Sequence, residues 1–339
     1  MPSLDQLTAS QVVKLLLIGD SGTGKTGSIA SLVKDGYHVR MLDMDNGWES
    51  LAAAIKRTCP DRLGSVDIEP LRDTYKSSPL GPVLNGPPKA FVRALSLLDR
   101  WTDGSSPKTW GPGSVLVVDS LTFFSDAAYS WADALNPNAK DKRQIYGAAQ
   151  EAIEHVLALL TGADFNTNVI VTAHVRYIDL PDGTKRGYPT AVGSALSPTI
   201  PRYFNSVAAC ATQIGGRRTI QTVSTALIDL KNPKGFDMEK SLPIETGLAT
   251  FFETLRGKLE WKKNPESPTL TQTETNQLSN PSTPIQVEPS LPPGQPATIG
   301  TSSTTSMPSA PSTKTSPKAT GLGLGMQSQP KPPSSTLKL

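Results

Sequence analysis

The chain of 339 residues lacks several features that define large classes of proteins. It has only two cysteines, Cys59 and Cys210, which give no pairing pattern and favour a reducing compartment. Its three histidines, His38, His155 and His174, stand at no metal-ligand spacing, which argues against a structural zinc site. There is no apolar run near 18 residues and no basic N-terminal stretch followed by an apolar one. We therefore expect a cytoplasmic protein without a signal peptide or membrane span.

An excess of charge of one sign is also missing. The 33 basic and 30 acidic residues leave a net charge of +3, so any contact with nucleic acid would need a local patch. Aromatic residues are absent from 264 to 339, where 14 of the 30 prolines fall. Such a segment buries too little apolar surface to offset chain entropy. We predict a short extension at 1–11, one domain at 12–262 and a disordered tail at 263–339.

The sequence "GDSGTGKT", residues 19–26, is a complete G-x-x-x-x-G-K-[ST] phosphate loop. A predicted strand at 12–18 precedes it, and a predicted helix of small residues begins at Lys25. In such a loop the backbone N–H groups surround a β-phosphate, the lysine reaches the β- and γ-phosphate oxygens, and the hydroxyl of Thr26 binds Mg²⁺. The residues predicted to bind ATP are Gly19, Asp20, Ser21, Gly22, Thr23, Gly24, Lys25, Thr26 and Gly27.

A second magnesium anchor is predicted at Asp119, which follows the apolar run Val115–Val118. Such a run before an aspartate is typical of a buried strand in a parallel sheet, whose terminal carboxylate holds the metal through its water shell. Alternatively, Asp119 or Ser120 could cap the helix predicted at 121–135. The phosphate loop favours the metal anchor, because a nucleotide site needs a second Mg²⁺ group.

Strands and helices alternate along the sequence. Strands are predicted at 12–18, 38–43, 114–119 and 168–174, and helices at 25–35, 47–57, 88–101, 121–135, 142–161 and 247–261. This alternation predicts an α/β fold, with a mostly parallel sheet covered by helices on both faces. An antiparallel hairpin is predicted around Gly215–Arg218. Ligands bind at the carboxyl ends of parallel strands, where Gly19, Asp43, Asp45, Asp119 and His174 fall.

The stretch "MLDMDNG", residues 41–47, places acids at the end of a predicted buried strand. A P-loop ATPase needs a carboxylate that orients or deprotonates the attacking water. In many such enzymes it directly follows the Walker B aspartate, but here that position is Ser120, which cannot serve. Asp45 is well placed for this role. The alternative is that Asp45 only belongs to a turn with Asn46 and Gly47.

The order of "GDSGTGKT", "LDMDNG", "VVDSLT" and "VTAHV" resembles that of the RecA-type recombinases, and above all of the phage RecA-like ATPases. These are minimal RecA cores linked to single-strand annealing and recombination, and the resemblance covers about residues 12–255. It implies a RecA-like P-loop core, a location in the host bacterial cytoplasm, a catalytic acid at Asp45 and a structural acid at Asp43. RecA proteins usually have glutamate at the catalytic position. The resemblance also implies a γ-phosphate sensor at His174, where relatives commonly have glutamine; a packed strand-end histidine is the alternative.

The stretch that follows His174 combines basic and aromatic residues over a long segment. Cations can follow a phosphate backbone while aromatic rings stack on bases, and long loops are often functional. The resemblance implies that single-stranded DNA binds here; a surface hairpin with packed aromatics and solvated charges is the alternative. The candidate DNA contacts are Arg176, Tyr177, Lys185, Arg186, Tyr188 and Arg202, with Arg217 and Arg218 at the later hairpin turn, where a subunit contact or a solubilising role is equally open.

The resemblance also implies self-assembly, as a ring or a filament. RecA filaments place cations of one subunit against the γ-phosphate of the next, and Lys231 is the candidate for that role. Only about eleven residues precede the first predicted strand, and we expect no second DNA-binding domain after the core. Both features favour annealing over strand exchange, with a single-strand-binding protein as a further candidate partner.

Three functions remain open at this stage. The first is a DNA-stimulated ATPase that binds single-stranded DNA and promotes annealing or strand exchange. The second is a P-loop kinase for a small acceptor, and the third is a nucleotide-driven switch without DNA pairing activity. A kinase needs an arginine-rich lid, whereas the cations at 176–202 are diluted by Tyr, Gly and Pro. This composition favours the DNA-linked ATPase.

Overall fold

An eight-stranded sheet forms the centre of the computed structural model, which describes residues 12–256. The strands are β1 (Lys14–Ile18), β2 (His38–Asp43), β3 (Val66–Pro70), β4 (Tyr75–Lys76), β5 (Val83–Leu84), β6 (Gly111–Asp119), β7 (Thr167–Ala173), β8 (Val175–Asp179), β9 (Lys185–Pro189), β10 (Ser206–Thr212), β11 (Arg218–Gln221) and β12 (Ser241–Pro243). The helices are α1 (Lys25–Ser28), α2 (Ala30–Lys34), α3 (Trp48–Thr58), α4 (Ala90–Asp99), α5 (Leu121–Leu135), α6 (Lys142–Thr161) and α7 (Gly247–Arg256). The predicted extension at 1–11, the tail at 263–339 and the end of the predicted helix 247–261 lie outside the described residues.

The strand order of the sheet is β12-β11-β10-β1-β7-β6-β2-β3. From β10 to β3 all neighbours are parallel, whereas β11 and β12 add antiparallel pairs at one edge. Two further pairs, β4–β5 and β8–β9, form separate antiparallel hairpins. This arrangement confirms the predicted α/β fold, with its mostly parallel sheet and an antiparallel hairpin near the C-terminal end.

Helices cover both faces of the sheet because successive side chains of a strand point to opposite sides. In β1, Leu16 and Ile18 join one apolar core with α4, α5 and α6. Leu15 and Leu17 join the other core with α2, α3 and α7. The central strands are therefore apolar on both faces, as expected for strands buried in a parallel sheet.

Strands β3, β4, β5 and β12 are not predicted from the sequence, and the β8–β9 hairpin is considered there only as an alternative. The helix predicted at 25–35 is interrupted between α1 and α2, where the Ser28 hydroxyl donates to the Lys25 carbonyl at 2.6 Å. Such side-chain bonds to the preceding turn compete with helical hydrogen bonding. Strand β3 was not predicted, because its alternation of apolar and charged residues covers only five positions. It pairs in parallel with β2, and the Arg40 guanidinium of β2 adds a side-chain bond by donating to Asp67 at 3.1 Å.

No helix within residues 12–256 has both the length and the apolar character needed to cross a membrane.

A buried lysine lies at the start of β1, away from the strand's carboxyl end. The Lys14 side chain is 6 % exposed, and its Nζ donates to the carbonyls of Phe165 at 2.6 Å and Thr167 at 2.8 Å. Its ammonium also lies 4.5 Å from the centre of the Phe165 ring. Burial lowers the pKa of Lys14 from 10.5 to about 7, although the charge of Asp164 opposes this shift.

Lys14 should therefore make stability depend on pH. Between pH 7 and 10.5 the unfolded chain holds a proton on this lysine that the folded chain releases, so Lys14 makes stability rise with pH, by up to about 1.4 kcal/mol per unit. We expect Lys14→Met to remove this contribution in urea unfolding measured from pH 7 to 9.5. The exposed Lys34→Met serves as the control. Equal pH slopes for wild type and Lys14→Met would contradict the prediction.

Candidate active site

The carboxyl ends of four adjacent strands meet at one cavity of about 680 Å³. Strand β1 leads into the phosphate loop, β2 into Asp45, β6 into Asp119 and β7 into His174. The loop, Asp45 and His174 line the cavity, and Asp119 is bonded to the loop residue Thr26. The structure thus brings together the residues predicted at these strand ends.

The phosphate loop divides into residues that face the cavity and residues that shape the loop. Lys25 is buried, and its Nζ donates to the carbonyls of Gly19 at 2.8 Å and Asp20 at 3.0 Å. The Thr23 hydroxyl donates to the same Asp20 carbonyl at 2.8 Å. A side chain at Gly19 would come within 2.6 Å of the Cys210 carbonyl oxygen, so this position leaves no room for one. The predicted loop residues that line the cavity are Ser21, Gly22, Gly24, Lys25, Thr26 and Gly27.

Asp119 is a fully buried carboxylate held by two threonine hydroxyls. Thr26 Oγ1 donates to Oδ2 at 2.7 Å, and Thr172 Oγ1 donates to Oδ1. Burial raises the pKa of Asp119 to about 6, and the negative charge of Asp45 adds to this effect. The two residues predicted to hold Mg²⁺, Thr26 and Asp119, are therefore in direct contact, and Thr172 is a further partner of the carboxylate.

Asp43 and Asp45 have different surroundings. Asp43 is buried, and its two carboxylate oxygens accept from the backbone N–H groups of Gly47 at 2.9 Å and Trp48 at 3.4 Å. It therefore caps the start of α3. Burial raises the pKa of Asp43, while these N–H donors lower it. Asn46 has a φ of 68°, so the turn considered as an alternative is present, yet Asp45 still lines the cavity.

His174 lies beside Asp45 at the cavity. The distance between His174 Nε2 and Asp45 Oδ2 is 3.6 Å, and the two side chains are 26 % and 17 % exposed. The His174 backbone N–H donates to Thr122 Oγ1 at 3.1 Å, and its ring packs edge-on against Phe123. Burial and the charge of Lys25 lower the pKa of His174, whereas Asp45 raises it. The histidine is thus both packed at the strand end and in reach of Asp45.

The oxygen atoms at these strand ends fit a magnesium ion. Ligand atoms of Asp43, Asp45 and Asp119 all lie within 4.8 Å of one another, and the Thr26 hydroxyl adjoins them. Carboxylate and hydroxyl oxygens are the hard ligands that Mg²⁺ prefers. A Cβ at Gly47 would lie 2.8 Å from Asp119 Oδ2 and 3.0 Å from Thr26 Oγ1, which would fill this space. Sequence reasoning missed Gly47, because only tertiary structure brings it against both groups.

The candidate DNA-binding residues lie on the β8–β9 hairpin and nearby, and several are paired within the chain. Three ion pairs join Lys185 to Asp179, Arg186 to Asp229 and Arg202 to Glu154, at 3.4, 2.9 and 2.8 Å. Among residues 12–256, Arg176 forms no ion pair. Tyr177 is 40 % exposed, and Tyr188 stands opposite Arg176 in the hairpin.

Three further candidate cations lie outside the β8–β9 hairpin, and their predicted contacts with DNA or a neighbouring subunit stay predictions. Arg217 and Arg218 line the cavity of the phosphate loop, together with Arg57 of α3, which sequence reasoning missed. Lys231 does not line it; its Nζ donates to the Phe204 carbonyl of the same chain at 2.8 Å. A role of Lys231 in a neighbouring subunit's site stays a prediction.

Two solved structures illustrate what the chain is similar to. The crystal structure of the RadB recombinase is 17 % identical, with a TM-score of 0.36; the match covers 64 % of this chain and 83 % of that one. A prototypical ATPase from the type III secretion system of pathogenic bacteria is 13 % identical, with a TM-score of 0.35. That match covers 60 % of this chain and about half, 52 %, of the ATPase. Comparison with the curated proteins found no match.

A protein-family model described as an AAA domain matches residues 11–233, well over half of the 339 residues. The matched segment contains the phosphate loop, the strand-end carboxylates and His174. Together with the parallel sheet and the phosphate loop described above, the match confirms the predicted α/β P-loop fold. The chain therefore belongs to the AAA domain family.

Proposed function

We propose that the chain is a Mg²⁺-dependent ATPase whose hydrolysis is coupled to single-stranded DNA. One observation carries the ATPase part: the Thr26–Asp119 pair and the Asp45–His174 pair lie at the same cavity as Lys25. The first pair suits a metal-bound triphosphate, and the second suits the activation of water beside it.

The roles of the residues follow from their chemistry. The phosphate loop and Lys25 bind the β- and γ-phosphates. The Lys25 ammonium then donates to phosphate oxygens in place of the loop carbonyls to which it now donates. Thr26 and Asp119 hold Mg²⁺, which neutralises charge on the phosphate oxygens when it is bound. Thr172 keeps the Asp119 carboxylate oriented. These groups position the triphosphate without taking part in proton transfer.

Asp45 is the proposed base. Its carboxylate is partly exposed to the cavity, so it can accept a hydrogen bond from a water molecule and then its proton. His174 Nε2 lies 3.6 Å from Asp45 Oδ2, and the lowered pKa of this histidine favours the neutral ring. A neutral imidazole can orient Asp45 without neutralising the negative charge that makes it a base.

The DNA part of the proposal rests on continuity between His174 and the β8–β9 hairpin. Strand β8 begins at Val175, directly after His174, and presents the unpaired Arg176 and the exposed Tyr177. A strand of DNA bound there would contact the chain segment directly after His174, and could thereby shift His174 relative to Asp45. We propose that DNA bound there stimulates hydrolysis, and that the chain acts in annealing as a homo-oligomer, alone or with a single-strand-binding protein.

Asp45→Asn tests the assignment of the base. We expect ATP affinity within about threefold of wild type, and a turnover lower by a factor of 100 or more, because general-base catalysis contributes about 10²–10⁴. Calorimetric binding and phosphate release measure the two quantities. The exposed Asp61→Asn is the matched control.

Turnover by Asp45→Asn near that of wild type would exclude this base. Formation of ADP only in the presence of a small hydroxyl-bearing acceptor would support the kinase alternative instead.

Gly47→Ala tests the magnesium site. The added methyl group would lie about 3 Å from both Thr26 Oγ1 and Asp119 Oδ2, so we expect the gain in ATP affinity on adding Mg²⁺ to fall at least tenfold. Titrations with and without Mg²⁺ check this. Gly147→Ala is the control, because its added carbon meets no side chain or other segment of the described chain within 4 Å. An unchanged Mg²⁺ effect in Gly47→Ala would show that the metal lies elsewhere.

The double change Arg176→Ala and Tyr177→Ala tests the DNA contact. We expect the ratio of hydrolysis rates with and without single-stranded DNA to fall towards one, because a cation and a stacking surface are lost together. The paired change Lys185→Ala and Asp179→Ala, which removes a salt bridge on the same hairpin, should reduce the ratio far less. Full stimulation in the first variant would place the DNA contact elsewhere.

A further inference from the structure

The turn between β10 and β11 carries two arginines to the cavity of the phosphate loop. Gly215 and Gly216 both have positive φ, at 87° and 80°, and form the turn before Arg217 and Arg218. Both arginines line the cavity. A Cβ at Gly24 would lie 3.3 Å from Arg218 Cδ, so the stem of Arg218 passes directly beside the phosphate loop.

The hairpin is anchored to the same strand as the phosphate loop. Strand β10 pairs in parallel with β1, where Ile18 lies opposite Ala209, and β1 runs directly into the loop. The Ile244 backbone N–H donates to the Arg218 carbonyl at 3.3 Å on the other side. The position of the two arginines relative to the loop is therefore set within one chain and needs no neighbouring subunit.

The charges of these arginines are not neutralised by protein groups. Within the described part of the chain, Arg217 and Arg218 form no ion pair, whereas Lys185, Arg186 and Arg202 each do. Both side chains are exposed towards the cavity. Exposed, unpaired guanidinium groups lose little solvation when an anion approaches, and their planar shape suits two phosphate oxygens at once.

The charge balance of the cavity fits a polyphosphate. Lys25, Arg57, Arg217 and Arg218 line it, against the carboxylates of Asp45 and Glu245. Arg57 comes from α3, so cations reach the cavity from α3 as well as from the hairpin. A nucleoside triphosphate fits this distribution of cations, because its negatively charged phosphates extend from the phosphate loop along the cavity.

We propose that Arg217 and Arg218 bind the phosphates of a nucleotide held in the phosphate loop of their own chain. The inference rests on the proposed function, in which this cavity holds ATP. In this proposal the two arginines do not bind DNA, and they act on the nucleotide of their own chain instead of that of a neighbouring subunit. The two arginines position the polyphosphate, and the β10–β11 hairpin forms a second part of the binding site beside the phosphate loop.

Nucleotide titrations with the double variant Arg217→Ala and Arg218→Ala test the contact. We expect ATP affinity to fall at least tenfold, and AMP affinity to change less than ATP affinity, because fewer phosphates are in reach. The double change to lysine should recover part of the loss, since it keeps charge but not the bidentate shape. Arg143→Ala, an exposed arginine outside the cavity lining, is the control. Thermal unfolding verifies that each variant is folded.

A mixing experiment distinguishes action within one chain from action between subunits. The double alanine variant and Lys25→Ala are each expected to hydrolyse ATP poorly. If the arginines served the site of a neighbouring subunit, mixed assemblies would regain activity. The double alanine variant would supply Lys25 at such a site, and an adjacent Lys25→Ala subunit would supply the arginines. We expect no gain on mixing. Recovery on mixing, or wild-type ATP affinity in the folded double variant, would overturn the inference while leaving the proposed ATPase standing. Failure of the wild-type chain to bind ATP would instead remove the proposed function, and the inference with it.

Discussion

The site depends on the buried Asp119 carboxylate and its two threonine partners. Thr26 reaches it from the phosphate loop, and Thr172 reaches it from β7. A buried carboxylate is costly unless its oxygens are hydrogen-bonded, so these contacts hold three strand ends in one arrangement. The phosphate loop keeps its place at the cavity while this arrangement persists. The same contacts place β7, and therefore His174, next to Asp45.

Much of the site was predictable because its signals are local in sequence. The phosphate loop is a contiguous motif, and Asp45, Asp119 and His174 each end a recognisable apolar strand. A parallel sheet then brings such strand ends together without further information. The resemblance implied a structural Asp43 and a catalytic Asp45; the hydrogen bonds of Asp43 to the start of α3 fit the structural role, and the catalytic role of Asp45 stays a prediction.

Features set by long-range contact could not be predicted. Arg218 lies beside Gly24 although 194 positions separate them in sequence, and nothing local to the hairpin indicates that approach. In the sequence Gly47 is recognisable only as a turn residue. The fold brings it against Thr26 and Asp119, where a side chain would occupy the space beside their oxygen atoms. Strand β3 alternates charged with apolar residues over only five positions, and its place beside β2 is set by tertiary pairing, to which Arg40 of β2 adds one side-chain contact.

The ion pairs around the β8–β9 hairpin have a consequence for how a polynucleotide would be held. Lys185, Arg186 and Arg202 already face carboxylates, so few of their charges remain to displace the counterions of a phosphate backbone. Attachment through Tyr177 and Arg176 would then owe more to stacking than to charge, and its strength would vary little with ionic strength. Binding of this kind would also be independent of base sequence, since every base presents a face on which an aromatic ring can stack.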